Sequence, residues 1–242
     1  MKASFFYGSP NGLSYDVILE IFSGTRVNSI RTSTVPLVQF WKKGARRVKK
    51  IESKLNLDLE KAKYCFEYPT SPKGKGKSSM TDLMILAGDA KLAIEAKFTE
   101  YHKGKDLSLK EWKTKGNKEN RDTVTKGWFE MISKFSAVKF SDLDDISYQF
   151  LHRTASACYN SNSAYVIYLI FYDSITKQSL NNYRQQLEGY CHTLKANSNL
   201  SFYIWEVETL QMINKGIDGE NCFSMMKSKD LYSFSSDKLY PV

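Results

Sequence analysis

Three polar side chains, Asp82, Glu95 and Lys97, lie in two otherwise apolar segments that surround a Gly-Asp pair at positions 88–89. Two apolar runs joined by such a pair predict a tight β-hairpin. If the turn has two residues, counting outward from it places Asp82 directly opposite Glu95. Directly opposed residues point to the same face of a sheet, with Cβ atoms about 5 Å apart. The sequence therefore predicts two facing carboxylates.

This pairing of carboxylates costs stability unless a positive charge lies between them. Mg²⁺ takes one or two carboxylates at a time, together with phosphate oxygens and water. Lys97 lies two residues beyond Glu95, so strand alternation places its ammonium group on the same face. A cation, a water molecule and an ammonium group suit hydrolysis of a phosphodiester, because the metal activates the water and the lysine stabilises negative charge.

A competing interpretation makes these residues ordinary polar positions of a half-exposed strand. An Asp followed later by Glu-x-Lys occurs by chance in many unrelated proteins. Two observations favour a site: the hairpin register opposes the two acids, and the second strand, LAIEAKF, is otherwise apolar. The charges therefore interrupt a segment that the pattern predicts to be buried.

The segments that must position these residues alternate between helix and strand. Helical spacing of apolar residues is found over 36–56, 127–136, 142–160 and 179–196. Short apolar runs predict strands over 63–68, 82–87, 90–97, 164–172 and 201–208. The polar stretch 102–126 is predicted as a long loop or a partly helical insertion. This alternation predicts an α/β fold with a mixed β-sheet flanked by helices.

Length and composition indicate one globular domain. The 242 residues are 42% hydrophobic and 25% charged, which excludes a collagenous or disordered chain. No linker divides them, so 1–242 is predicted to be a single domain with N-terminal and C-terminal extensions around a core of about 36–208. The longest apolar run has nine residues, where a membrane span needs about 20. The first residues show no secretion signal, and four scattered cysteines fit a reducing cytoplasm.

Positive charge is concentrated in three segments, 42–50, 69–79 and 103–126, although the net charge of the whole chain is only +9. Such segments suit contact with a polyanion, because binding releases condensed counterions. The second segment is a Lys/Gly/Ser loop, and its lysines are candidates for phosphate contact: Lys73, Lys75 and Lys77. Charge alone favours solvated helix faces and loops over a polyanion-binding surface.

Asp82, a hairpin and then Glu95-Ala96-Lys97 resemble the PD-(D/E)XK signature of restriction-endonuclease-like nucleases. Thr81 stands where that signature has proline, a departure that is frequent in the superfamily. The run from FEYP to EAKFTE is also similar to a group of bacterial members. The resemblance extends over about 36–208 in an α-β-β-β-α-β order, and its specific motifs cover about 65–100 and 148–156.

This resemblance implies a restriction-endonuclease-like core, one or two Mg²⁺ ions, for which Mn²⁺ substitutes, and phosphodiester hydrolysis. Matched residue by residue, Asp82 and Glu95 become metal ligands, Lys97 becomes the catalytic lysine, and the Ala96 carbonyl joins the metal shell. Many members carry a further acid upstream. Glu67 is the candidate for it, and Glu52, on the first predicted helix, is the rival.

Many members also carry a Gln or Arg that faces the phosphate from the helix after the core strands. Gln149 and Arg153 are four residues apart, so they share one face of the predicted helix 142–160. A planar guanidinium suits a pair of phosphate oxygens. Arg153 equally suits a salt bridge on the helix surface, and His152 suits a core or surface histidine.

The sequence thus predicts a Mg²⁺-dependent endonuclease that hydrolyses DNA, of restriction or defence type, in a bacterial cytoplasm. Because cutting both strands of a duplex usually needs two active sites, we expect a homodimer. Two alternatives stay open: a nuclease-fold module that binds nucleic acid without cleaving it, and a phosphodiesterase directed at RNA or nucleotides. A chance motif in an unrelated α/β protein would predict no metal at Asp82 and Glu95.

Overall fold

A computed structural model describes residues 14–25, 27–103, 106–213, 217 and 219–242. The expected absence of a secretion signal concerns residues 1–13, which lie outside the described residues. The described chain contains an open six-stranded mixed sheet in which spatial order equals chain order. The strands are β1 (Lys63–Thr70), β2 (Ser79–Ala87), β3 (Ala90–Lys97), β4 (Ser163–Tyr172), β5 (Leu200–Gln211) and β6 (Tyr232–Pro241). The predicted α/β class with a mixed sheet is confirmed.

The β2–β3 hairpin has the register that the sequence predicts. Ala87 pairs with Ala90 across a turn at 88–89, where Gly88 has a φ of 57°, a value that favours glycine. β1 and β2 are antiparallel, β3, β4 and β5 run parallel, and β6 closes the far edge as an antiparallel strand. β6 was not predicted, because its polar and apolar residues alternate poorly and its pairing depends on β5.

Helices cover both faces of the sheet. They are α1 (Tyr15–Phe22), α2 (Thr34–Phe40), α3 (Gly44–Leu55), α4 (Glu100–Lys103), α5 (Leu109–Thr114), α6 (Lys118–Ile132), α7 (Tyr148–Cys158), α8 (Leu180–Leu194) and α9 (Cys222–Met225). One apolar core lies between the sheet and α1, α2, α3 and α9, and a second lies between the sheet and α5 to α8. None of these described helices has the length and apolar character that crossing a membrane requires.

Three predicted helices differ from the observed ones. The segment 36–56 is divided into α2 and α3 by a 3₁₀ turn over Trp41–Lys43. α6 begins at Lys118, well before the predicted start at 127, because Asn117 caps a polar first turn that carries no apolar periodicity. α7 begins at Tyr148 and not at 142, since the side chain of Ser147 accepts the cap hydrogen bond from the Gln149 amide. Because α7 begins at Tyr148, its predicted site residues, Gln149 and Arg153, lie in the first two turns of the helix.

The Lys/Gly/Ser loop between β1 and β2 is attached to α6. The side chain of Asn120 accepts a hydrogen bond from the Lys75 amide at 2.7 Å and donates one to the Lys75 carbonyl at 2.9 Å. Gly127 allows α6 to approach the loop closely, because a Cβ there would lie 2.7 Å from the Lys73 backbone nitrogen. The insertion thus forms a wall beside the end of the hairpin.

We expect Gly127→Ala to destabilise the protein by about 1–3 kcal/mol, since overpacking against backbone outweighs the gain in helix propensity. A Cβ at Gly189, in α8, would meet no atom within 4 Å other than those of its chain neighbours and of its own helix backbone, so Gly189 is the matched control. Gly189→Ala should stabilise the fold by about 0.5–1 kcal/mol. Urea unfolding of both variants measures the difference, and equal effects would contradict the close approach of loop and helix.

Candidate active site

A cleft of about 690 Å³ opens where β1, β2 and β3 meet the first turns of α7. One wall is the Lys/Gly/Ser loop with α5 and α6. The predicted site residues that line the cleft are Glu67, Lys75, Lys77, Asp82, Glu95, Gln149 and Arg153. The structure therefore brings together residues that are separated by more than eighty positions in the sequence.

Asp82 lies where the pairing of β2 and β3 ends. The last paired residues are Leu83 and Ile94, so Asp82 and Glu95 are one step beyond them, on the side of the sheet that faces α7. The Ala96 amide donates a hydrogen bond to Asp82 Oδ2 at 2.7 Å. A side chain thus replaces the missing ladder partner. The structure shows a role for the amide of Ala96, and metal binding by its carbonyl stays a prediction.

Glu67 enters the cleft through an irregularity in β1. Pairing with β2 omits this position, and Glu67 has a φ of 51°, in the left-handed region that residues other than glycine seldom adopt. Backbone strain of this kind costs of order 1–3 kcal/mol and is concentrated at functional sites. The rival acid, Glu52, accepts a hydrogen bond from the Leu59 amide at 3.1 Å and does not line the cleft. The structure therefore favours Glu67 over Glu52.

Negative charge accumulates at this end of the hairpin. Burial, followed by repulsion from Glu95 and Glu67, holds the pKa of Asp82 well above its ordinary value, against the attraction of Arg153. The pKa of Glu67 is raised mainly by burial, and Glu95 raises it further. These carboxyl groups would be stabilised in their ionised form by an additional cation.

Glu95 is the centre of a buried network of charges. Its Oε1 accepts a hydrogen bond from Gln149 Nε2 at 2.8 Å and lies 3.3 Å from Lys97 Nζ, while its Oε2 lies 2.5 Å from Arg153 Nη2. Lys97 also donates a hydrogen bond to Gln149 Oε1. The charged side chains are at most 6% exposed. Gln149 therefore bridges the acid and the base, and strand alternation places Lys97 beside Glu95 as expected.

Arg153 connects α7 to β2 as well as to Glu95. Its Nη1 donates to Thr81 Oγ1 at 2.6 Å and its Nη2 donates to the Met80 carbonyl at 2.8 Å. The residue is 2% exposed. The structure thus places Arg153 on the same face as Gln149 but holds its guanidinium with protein acceptors, and contact with phosphate stays a prediction.

The three predicted loop lysines do not share one environment. Lys75 and Lys77 line the cleft, whereas Lys73 forms a salt bridge with Glu130 at 2.6 Å and does not line it. The basic segment 42–50 lies mostly in α3, on the opposite face of the sheet from Asp82, because α3 packs on the other core. Lysines and arginines of that segment pair with acids near the C-terminus, among them Asp237.

The insertion contributes a stack that sequence reasoning did not identify. The Arg121 guanidinium lies 3.9 Å from the Trp112 ring centroid, and Trp112 is stacked on Tyr148 at 3.9 Å with an interplanar angle of 11°. Trp128 Nε1 donates to the Tyr148 hydroxyl at 3.0 Å. This stack packs α5 and α6 together and also attaches the insertion to the start of α7. The presence of aromatic residues among basic ones was the only signal for it.

A divalent cation fits the acids of the cleft when a substrate completes its shell. Among the described residues, no three or more His, Cys, Asp or Glu side chains form a ready-made metal site. Mg²⁺ does not need one, because it binds through one or two carboxylates plus water and substrate phosphates. Asp82 and Glu67 line the cleft, and buried Oε2 of Glu95 has no hydrogen bond despite its ion pair.

We expect Arg153→Met to lower the free energy of unfolding by about 3 kcal/mol, because it leaves Glu95 buried without its shortest ionic contact. Adding Glu95→Gln to that variant should restore much of the loss. Urea unfolding of the two single variants and the double variant gives the coupling energy. Additive effects would show that the Arg153–Glu95 contact does not stabilise the fold.

We expect Asp82→Asn to increase stability at neutral pH. The pKa of Asp82 is higher in the folded state than its unfolded value of about 3.9, so ionisation opposes folding above that pH. The gain should be complete above the raised folded pKa and should disappear as the pH falls towards about 3.9. Thermal unfolding across pH measures it, and a gain that persists below that pH would contradict the electrostatic cause.

The same variant tests the cation. MgCl₂ should raise the melting temperature of the wild type more than that of Asp82→Asn, with NaCl of equal ionic strength as the control. Equal shifts for the two proteins would indicate that Mg²⁺ does not bind at Asp82.

Comparison with known proteins identifies a family for this chain. A family model described as a domain of unknown function, DUF6946, matches residues 14–211. That range contains Glu67, Asp82, Glu95, Lys97, Gln149 and Arg153. Searches of curated proteins and of solved structures give no match. Since the family model covers most of the sequence, the chain belongs to the DUF6946 family.

Proposed function

We propose that this protein is a Mg²⁺-dependent endonuclease that hydrolyses phosphodiester bonds of DNA. The observation that carries the proposal is that Glu67, Asp82 and Glu95 line one cleft and that the ammonium of buried Lys97, which does not line it, lies 3.3 Å from Glu95. The residues of the PD-(D/E)XK resemblance are therefore neighbours in space as well as in the motif.

The order of strands supports the same proposal. An antiparallel hairpin leads through β3 into α7, and β4 then pairs parallel to β3. This is compatible with the α-β-β-β-α-β order that a restriction-endonuclease-like core requires. The site lies at the carboxyl end of β3, where a parallel strand ends and a crevice opens.

Each residue has a role that its surroundings support. Asp82 and Glu95 would hold Mg²⁺, with Glu67 as a further ligand, and the metal when bound activates water and offsets charge on a phosphate. Lys97, fixed by Glu95 and Gln149, provides positive charge for the phosphate as negative charge develops on it. Lys75 and Lys77 line the cleft from the Lys/Gly/Ser loop and would attract the nucleic-acid backbone.

A second candidate function is a nuclease-fold module that binds nucleic acid without cleaving it. The specific observation in its favour is that Glu95 is already paired with Arg153 and Lys97 without a divalent cation. The two proposals differ in whether bound nucleic acid is hydrolysed. A homodimer, which cutting of both strands calls for, is tested separately by sedimentation.

We expect the wild type to convert supercoiled plasmid to nicked or linear DNA in Mg²⁺ and not in EDTA. Asp82→Ala and Lys97→Ala should each lower the rate by about 100-fold or more, because each removes a group that acts on the reacting phosphate. Lys54→Ala is the control, since Lys54 is exposed on α3, on the opposite face of the sheet.

Each other result has a definite meaning. If the wild type binds DNA but does not cut it, the binding module is correct. If a matched RNA or mononucleotide is hydrolysed in place of DNA, the site is a phosphodiesterase of different substrate class. If Asp82→Ala and Lys97→Ala cut as fast as the wild type, the site assignment is wrong.

A further inference from the structure

His152 is a cleft residue that the roles described above do not use. Its Nδ1 lies 2.8 Å from the hydroxyl of Ser79, the first residue of β2. No other hydrogen bond of this imidazole is formed within the described part of the chain, so Nε2 remains available to the cleft that both residues line. Ser156, one turn further along α7, instead donates its hydroxyl hydrogen to the His152 carbonyl at 2.8 Å.

Hydrolysis needs a group that takes a proton from the attacking water. Two other basic residues near the site, Lys97 and Arg153, are already held in ion pairs and hydrogen bonds. The Lys97 ammonium is 6% exposed, lies 3.3 Å from Glu95 and donates to Gln149. The Arg153 guanidinium is held by Thr81 and the Met80 carbonyl, and a guanidinium is not deprotonated in proteins. The imidazole is therefore the neutral nitrogen base that the cleft provides.

The surroundings of His152 keep it neutral. Arg153 is next to it on α7, and Lys97 faces it from β3. Burial, followed by these two cations, holds the pKa of His152 well below its usual range. The aromatic and hydroxyl groups around the imidazole are uncharged: the ring of Tyr148 lies 4.9 Å away, that of Trp128 lies 6.1 Å away, and Ser79 contributes its hydroxyl. Lys75 and Lys77 also line the cleft from the loop.

We infer that His152 Nε2 is the general base for the attacking water, and that Ser79 is the positioning residue that orients its ring. The inference rests on the proposed function. Nε2 takes a proton from water as the water oxygen forms a bond to phosphorus. The bond from phosphorus to the leaving oxygen breaks, and that oxygen takes a proton from solvent water. The hydroxide so formed removes the proton from the imidazolium, which restores the neutral base.

The test compares two histidine–serine pairs of the same geometry. His102 Nδ1 lies 2.8 Å from Ser179 Oγ, and neither residue lines the cleft. We expect His152→Ala to lower kcat by about 100-fold, with binding of a DNA oligonucleotide in Ca²⁺ unchanged. Free imidazole should restore part of the rate. Ser79→Ala should lower kcat by about 10-fold, and His102→Ala should leave it unchanged.

A pH profile adds a readout that a structural role would not change. The wild-type kcat should fall on the acid side only well below the usual histidine value of about 6.5, and His152→Gln should abolish that dependence. The inference is overturned if His152→Ala keeps kcat within about threefold, or if folded His152→Ala is inactive and imidazole restores nothing. If the wild type hydrolyses no phosphodiester, the proposed function and the inference both fail. If Asp82→Ala is inactive while His152→Ala is active, only the inference fails.

Discussion

The need to neutralise Glu95 inside the protein constrains the rest of the site. A carboxylate that is 4% exposed is costly unless it is paired and hydrogen-bonded. Here the partners come from two elements: Lys97 from the same strand, and Gln149 and Arg153 from α7. Because Arg153 also bonds to β2, the pairing fixes how α7 lies on the hairpin. The charge cluster therefore connects α7 to β2 and β3, and it is also part of the proposed catalytic site.

A second constraint is the end of the β2–β3 ladder. Side chains on one face of the hairpin, such as Leu83 and Ile94, pack in the core under α3, whereas Asp82 and Glu95 face α7. A shift of register by one residue would exchange these faces and bury the acids in the apolar core. The same alternation that builds the core thus excludes any other position for the carboxylates.

The insertion between β3 and α7 converts this surface into a cleft. Asn120 holds the Lys/Gly/Ser loop, and the stack of Arg121, Trp112 and Tyr148 holds α5 and α6 to the start of α7. Both contacts join segments that are distant in sequence. The positive side chains of this wall and the acidic side chains of the sheet line the same cleft. Such an arrangement suits a polyanionic chain only when a cation accompanies that chain.

Local patterns were sufficient for the hairpin. The Gly-Asp turn and the two apolar runs determined its register, and strand alternation then determined that Lys97 shares a face with Glu95. The α/β class and most core strands followed from predicted segments of six to nine residues, since burial in a sheet favours a high content of apolar residues. In contrast, the choice of Glu67 over Glu52 as the further acid of the site needed the left-handed backbone at Glu67, which the residue type does not predict.

The sequence by itself determined the hairpin register and the shared face of Glu95 and Lys97, because turn type and strand period act over a few neighbouring positions. Only the tertiary structure decided which partners they have. Arg153 meets Glu95, Ser79 meets His152 and Lys73 meets Glu130 through contacts between elements far apart in the chain. The edge strand β6 and the early start of α6 were likewise decided by packing and capping rather than by periodicity. Such pairings depend on how whole faces are buried, and local spacing does not encode that geometry.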